Sequence, residues 1–334
     1  MTANAAARLL QHYVDNFRRL PWRSAPGEPP PDPYRVLLSE VMLQQTTVAA
    51  VAPRFERFVA RWPTTDSLAA APDADVFAEW AGLGYYARAR NLIACAREIV
   101  RRGVFPKTAA ELLTLPGLGD YTAAAIAAIA FGEPVAVVDT NVRRVVARLH
   151  ALSDPTMRKV ADIVAAMIPS ERPGDFAQAM MDLGATICRP KAPQCFACPL
   201  ADDCAGRALG TPEAFPARKA RLARPVRHGT AWWIERGGAV WLVRRPDKGM
   251  LGGMAALPGS GWTDRPQSPA GSLGTVCHVF THFTLELRIE RRAAPEGDGW
   301  WQPLDQLAEA GLPTLYRRAA ELALDAATEP RAAA

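Results

Sequence analysis

Four of the six cysteines lie in one short segment, with the spacing Cys188-x6-Cys195-x2-Cys198-x5-Cys204. Four thiolates this close together can surround one small inorganic centre. A structural zinc site usually has two Cys-x2-Cys pairs, whereas this segment has one such pair with unequal intervals on either side. Iron–sulfur clusters are also held by four cysteines. The spacing therefore predicts a metal centre and favours iron–sulfur, with zinc as the alternative.

An acidic side chain at a predicted helix start is a second candidate for chemistry. Asp139 follows the apolar pair Val137-Val138 and precedes Thr140-Asn141. An Asp in this position can cap the helix by accepting hydrogen bonds from its first N–H groups. It can also stabilise positive charge in a reaction as an ionised carboxylate. The two roles are compatible, and the sequence leaves both open.

A glycine-rich turn, Leu115-Pro116-Gly117-Leu118-Gly119, lies between two predicted helices. Glycines this close together permit a tight turn that aims several backbone N–H groups at one point, ahead of a helix N-terminus. Such a turn can hold a phosphate oxygen without reading the base sequence. An ordinary helix–helix turn is the alternative.

The sequence from residue 5 to about residue 207 has a helical pattern, and the predicted helices must position these residues. Asp32-Pro33 is typical of an N-cap followed by a first-turn proline, and it predicts a helix that follows. Thr108-Ala109-Ala110-Glu111 has the spacing of a capping box. The alanine-rich segment Thr122–Ala130 favours a helix that packs closely against its neighbours.

The pattern changes near Thr230 to short, alternating segments. Ala231–Glu235 and Ala239–Arg244 flank Gly237-Gly238, which predicts a hairpin. From Phe283 to Glu290 apolar and polar residues alternate, as in a half-buried strand. We therefore expect a helical domain over 1–210 and a smaller α+β domain over 230–325, with a frayed tail beyond it.

A basic segment joins the two predicted domains over residues 211–229. Its second half, Ala217–His228, contains five Lys or Arg residues and no acid. It is either a solvated linker or a basic strap along DNA. The net charge of +5 and pI near 9.0 suit a polyanionic partner. No long uncharged apolar run predicts a membrane span, and the clustered cysteines suit a reducing, cytoplasmic compartment.

Together these features resemble the endonuclease III superfamily of DNA glycosylases, which combines a helix–hairpin–helix turn, a following Asp and a four-cysteine loop. Further segments are similar to the adenine DNA glycosylase (MutY-type) branch: Leu20–Arg23, Ser39–Thr46, Gly82–Asn91 and Gln178–Gly184. The resemblance covers residues from about 8 to 290. It implies a mostly α glycosylase fold with a [4Fe–4S] cluster on the four cysteines between 188 and 204.

The resemblance implies that Glu40 protonates N7 of an extruded adenine and helps to activate the incoming water. On its predicted helix Glu40 shares a face with Val36, Leu43 and Thr47, mostly apolar neighbours that raise a carboxyl pKa. Asp139 is expected to stay ionised and to stabilise the oxocarbenium-like sugar. The resemblance further implies that Tyr121 and Asn141 support this step.

Tyr121 also separates two reactions within the superfamily. In endonuclease III-type enzymes the position two residues after the second hairpin glycine is a lysine that forms a Schiff base and nicks the strand. Here that position is Tyr121, and no lysine occurs between Lys107 and Lys159. We therefore expect a monofunctional glycosylase without strong lyase activity.

The family pattern also assigns residues that contact DNA. Gln45 and Tyr85 are expected in the helix gap beside the mispaired partner base, and Gly117 and Gly119 at a phosphate. The residues that match the adenine pocket are Trp22, Arg23, Leu43 and Gln178.

The region from about Thr230 resembles the C-terminal domain of the same family, which is related in fold to Nudix hydrolases. Nudix hydrolysis needs several carboxylates to hold metal, yet Asp264 is the only acid between Lys248 and Leu285. We therefore expect no pyrophosphate hydrolysis by this domain. In the family this domain recognises 8-oxoguanine through a Phe-Ser-His loop, which Phe280-Thr281-His282 matches with Thr in place of Ser.

The sequence thus predicts a cytoplasmic, nucleoid-associated monomer that removes adenine paired with 8-oxoguanine or guanine in double-stranded DNA. One alternative is a related glycosylase acting on mispaired thymine or uracil. The other is a non-catalytic iron–sulfur protein that binds DNA.

Overall fold

The structure is a computed structural model that describes residues 3–217, 224–246, 249–266 and 271–328 of the chain. The chain divides into two compact units: residues 1–83 and 87–220 form the first, and residues 84–86 and 221–334 form the second. The first unit is helical and the second is built on β-strands and one long helix. The expected order of a helical domain and a smaller α+β domain is therefore confirmed.

The α-helices of the first unit follow one another as α1 Ala3–Asp15, α2 Pro33–Leu43, α3 Val48–Arg61, α4 Thr65–Ala70, α5 Asp73–Trp80, α6 Ala87–Arg102, α7 Ala109–Leu112, α8 Asp120–Phe131, α9 Thr140–Leu149, α10 Met157–Ala165, α11 Pro173–Asp182 and α12 Ala205–Ala208. A π-helical turn, Leu183–Ile187, continues α11 directly.

The helix starts that matter most for the site have the caps predicted from local sequence. Asp32 accepts hydrogen bonds from the N–H groups of Tyr34 and Arg35 and begins α2. Thr108 and Glu111 form a capping box at α7. Each cap satisfies N–H groups that a helix leaves without an internal partner, so the start of the helix is fixed.

Helix α8 forms the centre of the helical unit. Every residue from Thr122 to Ala130 is buried, and α8 packs against α2, α7 and α11. Alanine side chains let the neighbouring backbones approach closely on all sides. The packing brings α2 and α11 against α8, and this places polar residues of all three helices at one cavity.

Both described parts of the predicted linker over 211–229 contain regular structure. Pro212–Ala214 form a 3-10 turn, the Ala217 N–H donates to Ser153 O, and Arg148 Nε donates to Phe215 O at 3.1 Å. These contacts attach residues 211–217 to the helical unit, and the first strand already begins at Val226. The basic residues Arg218, Lys219 and Arg221 lie outside the described residues.

The second unit contains two small sheets. Its strands and long helix are β1 Val226–Trp233, β2 Glu235–Arg236, β3 Ala239–Arg244, β4 Ala255–Ala256, β5 Ser272–Val279, β6 Thr284–Arg291, β7 Trp300–Pro303 and α13 Thr314–Thr328. One sheet has the order β1-β6-β5, with β1 parallel and β5 antiparallel to β6. In the other, β3 pairs with β2, β4 and β7.

The predicted hairpin around Gly237-Gly238 is present but shorter than expected. It joins β2 to β3, with Glu235 opposite Val240. The segment expected to extend it, 231–233, belongs instead to β1 and pairs with β6. The strand changes sheet after Trp233, because Trp233 and Ile234 are both buried and cannot follow a single alternating face.

The alternating strand is confirmed as β6. Leu285, Leu287 and Ile289 are at most 1% exposed and form the core of the second unit with α13. Helix α13 continues to Thr328, past the predicted boundary at residue 325.

None of the helices in the described ranges is both long and apolar enough to cross a membrane.

Candidate active site

A cavity of about 230 Å³ lies in the helical unit where α2, α8, α11 and the start of α9 come together. The residues predicted for catalysis and for adenine binding line it together: Trp22, Arg23, Glu40, Leu43, Tyr121, Asp139, Asn141 and Gln178. These residues are spread over much of the helical unit in sequence, and the packing around α8 gathers them.

Glu40 is buried on α2, with 7% of the residue exposed. Burial raises the pKa of the Glu40 carboxyl to about 7, because it removes the water that stabilises a carboxylate. A hydrogen bond from Tyr121 and the charge of Arg23 lower this pKa, and the charge of Asp139 raises it. Glu40 is therefore protonated in a large fraction of molecules near neutral pH.

The predicted helical face of Glu40 is correct in part. Val36 and Leu43 line the cavity beside Glu40. Thr47 does not share this face, because α2 ends at Leu43 and Thr47 is the N-cap of α3.

Asp139 is the N-cap of α9 and also faces the cavity. Its Oδ1 accepts a hydrogen bond from the Val142 N–H at 2.6 Å, and its Oδ2 accepts one from Asn141 Nδ2 at 2.7 Å. The two N–H donors hold both carboxylate oxygens in fixed positions at the start of α9. The capping role and a position at the reacting centre are thus combined in one side chain.

The Tyr121 hydroxyl lies 3.3 Å from Met181 Sδ and faces the Glu40 carboxyl. Burial raises the pKa of Tyr121 well above its usual value, and the nearby charge of Glu40 raises it further. The side chain is therefore a neutral phenol that donates a hydrogen bond. No amine group stands at this position.

Asp182 was missed as a site residue, although it lies within the Gln178–Gly184 segment. Its carboxylate accepts two hydrogen bonds from Arg23, at 2.6 and 3.1 Å, and one from Arg18 at 2.8 Å. This ion cluster fixes the Arg23 guanidinium at the cavity wall. The signal available in the sequence was an acid inside a recognised segment, without any indication of its partners.

Arg144 connects Asn141 to the cysteine segment. Its Nη2 donates to Asn141 Oδ1 at 3.0 Å and to Gly184 O at 2.7 Å, and its Nε donates to Cys188 O at 2.8 Å. A Cβ on Gly184 would come within 2.7 Å of Asn141 Cβ, so only glycine permits this approach. The amide that holds Asp139 is therefore itself held from two sides.

Gln45 and Tyr85 lie outside the cavity on exposed turns. Both have the left-handed backbone conformation that non-glycine residues rarely adopt, with φ of 57° and 50°. Gly117, with φ of 76°, forms the predicted turn between α7 and α8, and Gly119 is the N-cap of α8. A Cβ on Gly117 would overlap the Asn91 side chain, so close packing also requires this glycine.

The four cysteines line a second, smaller cavity of about 30 Å³. All four are free thiols. Arg148 Nη1 donates to Cys188 Sγ at 3.4 Å and to Arg189 O at 2.7 Å. Within the described ranges no three His, Cys, Asp or Glu side chains are close enough to bind one metal ion. The four cysteines therefore line one pocket, and the Arg148 guanidinium lies beside Cys188.

In the second unit Thr281 and His282 are exposed at the tip of the β5–β6 turn. The turn is closed by a hydrogen bond from the Phe280 N–H to Phe283 O at 2.9 Å. Trp262, which the sequence did not single out, supports the turn from below, with ring centroids 5.4 Å from Phe280 and 6.0 Å from Phe283. The two exposed side chains therefore lie on a turn whose flanking aromatic rings pack against Trp262.

Comparison with known proteins identifies the family. The model of the "HhH-GPD superfamily base excision DNA repair protein" family matches residues 38–170, and that of the NUDIX domain matches residues 230–322. An adenine DNA glycosylase of Rattus norvegicus is 35% identical over 354 residues, covering 84% of this chain and 69% of its own. The chain belongs to the adenine DNA glycosylase family.

Other relatives agree with this assignment. An adenine DNA glycosylase of Mycobacterium tuberculosis is 46% identical over 211 residues, covering 61% of this chain and 68% of its own. Among solved structures, a thermostable thymine-DNA glycosylase superposes with a TM-score of 0.55 at 26% identity, covering 61% of this chain and 95% of that chain. A trapped endonuclease III–DNA covalent intermediate gives 0.53 at 26%, covering 63% and 99%.

Membership of the adenine DNA glycosylase family makes the chain a DNA glycosylase of base excision repair. The fold predicted from the sequence is confirmed: a helix–hairpin–helix glycosylase unit followed by a Nudix-like unit.

Proposed function

We propose that this enzyme hydrolyses the N-glycosidic bond of adenine paired with 8-oxoguanine or guanine and leaves an abasic site. The observation that carries the proposal is the pairing of two unlike carboxyl groups in one cavity. Glu40 is buried with a pKa of about 7, and Asp139 accepts two hydrogen bonds at a helix N-terminus. Glycosidic bond cleavage uses one carboxyl group as an acid and one as a carboxylate.

Glu40 acts first as the acid. A purine leaves its sugar more readily when a ring nitrogen accepts a proton, and a carboxyl group with a pKa near 7 holds that proton at neutral pH. We assign the proton to N7 of adenine. The resulting Glu40 carboxylate can then accept a proton from the water that attacks C1′.

Asp139 acts on the sugar. As the bond to adenine stretches, positive charge develops on the sugar, and a fixed carboxylate stabilises this charge without having to reorganise. Asn141 holds Oδ2 of Asp139, and Tyr121 donates a hydrogen bond towards Glu40. The pocket walls that bind the base are Trp22, Arg23, Leu43 and Gln178.

We propose a hydrolytic reaction without strong lyase activity. The residue two positions after Gly119 is Tyr121, a buried phenol, and no lysine is among the described residues that line the cavity. A Schiff base to the sugar needs an amine. The abasic product should therefore stay uncut until alkali is added.

Extrusion of adenine from the duplex is assigned to the two exposed turns. Gln45 and Tyr85 would fill the space that the base leaves and offset part of the few kcal/mol, on the order of 2–3, lost in unstacking. The N–H groups around Gly117 and Gly119 would hold a phosphate of the same strand. The overall charge of +5 favours binding to DNA.

Recognition of the partner base is assigned to Thr281 and His282 in the Nudix-like unit. The Thr281 hydroxyl can hydrogen-bond an oxidised guanine, and both side chains are exposed on a supported turn. Within the described parts of residues 249–284 there is no α-helix and one acidic residue, Asp264, so pyrophosphate hydrolysis lacks its metal-binding carboxylates.

We propose that Cys188, Cys195, Cys198 and Cys204 hold a [4Fe–4S] cluster. The four free thiols line one cavity and Arg148 supplies positive charge beside Cys188, which suits a cluster of thiolate ligands. Bound there, such a cluster would cross-link the four cysteines and so stabilise the fold of this segment. Iron and sulfide analysis with a broad visible absorption band would support this assignment, and a colourless zinc protein would contradict it.

The test of function uses duplexes that contain 8-oxoguanine:adenine, guanine:adenine and guanine:cytosine pairs, with and without alkali. Free adenine from the first two alone supports the proposal. Release of thymine or uracil from mispairs would indicate the thymine- or uracil-specific alternative. Tight binding without any released base would indicate a non-catalytic DNA-binding protein. We expect the active species to be a monomer, in the cytoplasm and associated with the nucleoid.

A further inference from the structure

Helix α6 carries one buried arginine near its start. Arg88 is 9% exposed, and its guanidinium lies over the Trp80 ring at 5.4 Å. Nη1 donates to Val41 O at 3.0 Å and to Met42 O at 2.9 Å. Nη2 donates to Leu83 O at 2.9 Å and to Thr46 Oγ1 at 3.2 Å.

The acceptors of Arg88 belong to two different turns. Val41 and Met42 are in the last turn of α2, where carbonyl groups have no partner within the helix. Thr46 lies just beyond, in the turn that leads to α3. Leu83 lies in the turn between α5 and α6. One planar guanidinium therefore joins the turn after α2 to the turn before α6.

Each of these turns holds a non-glycine residue in the left-handed conformation. Gln45 follows α2 with φ of 57°, and Tyr85 follows Leu83 with φ of 50°. Both residues are exposed. A conformation of this kind costs energy and persists only where surrounding contacts hold the backbone. The contacts made by Arg88 are of that kind for both turns.

A second arginine restrains the Tyr85 turn from the side of α3. Arg54 Nε donates to Ala81 O at 3.2 Å, and a Cβ on Gly82 would overlap the Arg54 guanidinium. The other described hydrogen bond of Arg54 goes to Ala50 O within α3, and not to the turn after α2. Among the described hydrogen bonds of these two arginines, those of Arg88 alone join the two turns.

We propose that Arg88 is a positioning residue that joins the turn carrying Gln45 to Leu83, two residues before Tyr85, and so sets the geometry for base extrusion. This inference rests on the proposed function, in which the two turns act as wedges. Lysine cannot replace Arg88, because one ammonium group cannot reach four acceptors arranged around a planar fork. Loss of Arg88 should therefore weaken extrusion of the base more than the chemistry that follows.

The pH dependence of the reaction separates these two effects. The charges that act on Glu40 come from Arg23 and Asp139, and Tyr121 donates the hydrogen bond. Arg88 is not among them. A variant that disturbs only the two turns should release adenine more slowly at every pH and keep the same midpoint in its pH profile.

The test measures extrusion directly in the Glu40→Gln background, with chemistry blocked and 2-aminopurine next to the target adenine. We expect Arg88→Lys to bind the mispaired duplex and to lower the extrusion equilibrium about tenfold, the effect of losing a buried charged hydrogen bond. Arg97→Lys, on the exposed side of the same helix, is the matched control and should leave the fluorescence change intact. A full fluorescence change in Arg88→Lys would overturn the proposal.

A second variant covers the case in which Arg88→Lys does not fold, as judged by circular dichroism. Thr46→Val keeps the shape of the side chain and removes one acceptor of Arg88. It should lower extrusion about threefold, and an unchanged signal would overturn the proposal. If the protein with Glu40 intact releases no adenine, the proposed function fails. If the protein releases adenine but both variants extrude the base normally, only the role of Arg88 is refuted.

Discussion

The Asp182 carboxylate accepts two hydrogen bonds from the Arg23 guanidinium, at 2.6 and 3.1 Å, at the wall of the cavity that contains Glu40. The pair holds a positive charge close enough to lower the pKa of Glu40. Burial opposes this effect and is larger, so the pKa of Glu40 rises to about 7. The acid strength of Glu40 is thus a balance between its burial and a cation fixed by a distant part of the chain.

Removal of the Arg23 charge should shift this balance. In Arg23→Gln the pKa of Glu40 should rise further, because the positive charge that stabilises the carboxylate is removed while burial remains. Adenine release requires protonated Glu40, so activity should persist to higher pH, even if the altered pocket lowers the maximum rate. Single-turnover rates between about pH 5 and 9 measure the shift.

Arg18→Gln is the control for that experiment. Arg18 binds the same Asp182 carboxylate but is not among the groups that shift the pKa of Glu40. Its pH midpoint should match that of the unaltered enzyme. A midpoint for Arg23→Gln at or below that of the unaltered enzyme would show that the cation does not act on Glu40.

Glu40 should also reduce the stability of the fold at high pH. Its folded pKa of about 7 lies above the usual carboxyl value of 4.5, so the folded state holds a proton that the unfolded state releases. Stability therefore falls as the pH rises from about 4.5 to 7, by roughly 3 kcal/mol in total.

Glu40→Gln should remove this loss, since glutamine is neutral at every pH. We expect a higher unfolding temperature than the unaltered enzyme at pH 8 and little difference near pH 4.5, measured by calorimetry. An equal or lower unfolding temperature at pH 8 would mean that the buried carboxyl carries no such penalty.

Gly184→Ala should impair catalysis through Asn141. The new Cβ would come within 2.7 Å of Asn141 Cβ and 3.1 Å of its backbone, so Asn141 would have to move. Its hydrogen bond to Asp139 would weaken, and we expect a loss of about tenfold to a hundredfold in single-turnover rate. DNA binding, measured by fluorescence anisotropy, should change little.

Gly261→Ala serves as the matched substitution, because a Cβ at Gly261 meets open space. It should leave the single-turnover rate unaltered. An active Gly184→Ala enzyme would show that Asn141 does not need this contact to support Asp139.

Thr281→Val should reduce the preference for 8-oxoguanine over guanine opposite adenine. Valine has the shape of threonine without the hydroxyl, so one hydrogen bond to the oxidised base is lost while the turn on Trp262 and Phe280 stays in place. We expect a decrease of about tenfold in the ratio of rates for the two duplexes. Thr281→Ser should retain the ratio, and equal ratios in all three proteins would place recognition elsewhere.

Local features of the fold could be predicted because their causes lie within a few residues. Asp32 and Asp139 cap the helices that follow them, and the alternation in β6 follows from the two faces of a sheet. The switch of sheet after Trp233 could not be predicted, because it depends on which distant strand, β6, supplies the partner.

The candidate site shows the same division. Glu40 and Tyr121 could be named from family segments, and their joint position in one cavity agrees with that prediction. Asp182 and Arg88 were missed because their roles depend on partners far along the chain. Arg23 is 159 residues from Asp182, and the carbonyl of Met42 is 46 residues from Arg88. A sequence motif can identify a functional residue, but its contact partners depend on how the chain packs.

The most direct test of the account is the single-turnover rate of adenine release from an 8-oxoguanine:adenine duplex as a function of pH. With Glu40 intact, the rate should fall as the pH rises through about 7, because the acid loses its proton. Glu40→Gln should bind the duplex and release adenine at least about a hundredfold more slowly. Release by Glu40→Gln at the unaltered rate, with the same pH dependence, would contradict the assignment of Glu40 as the acid.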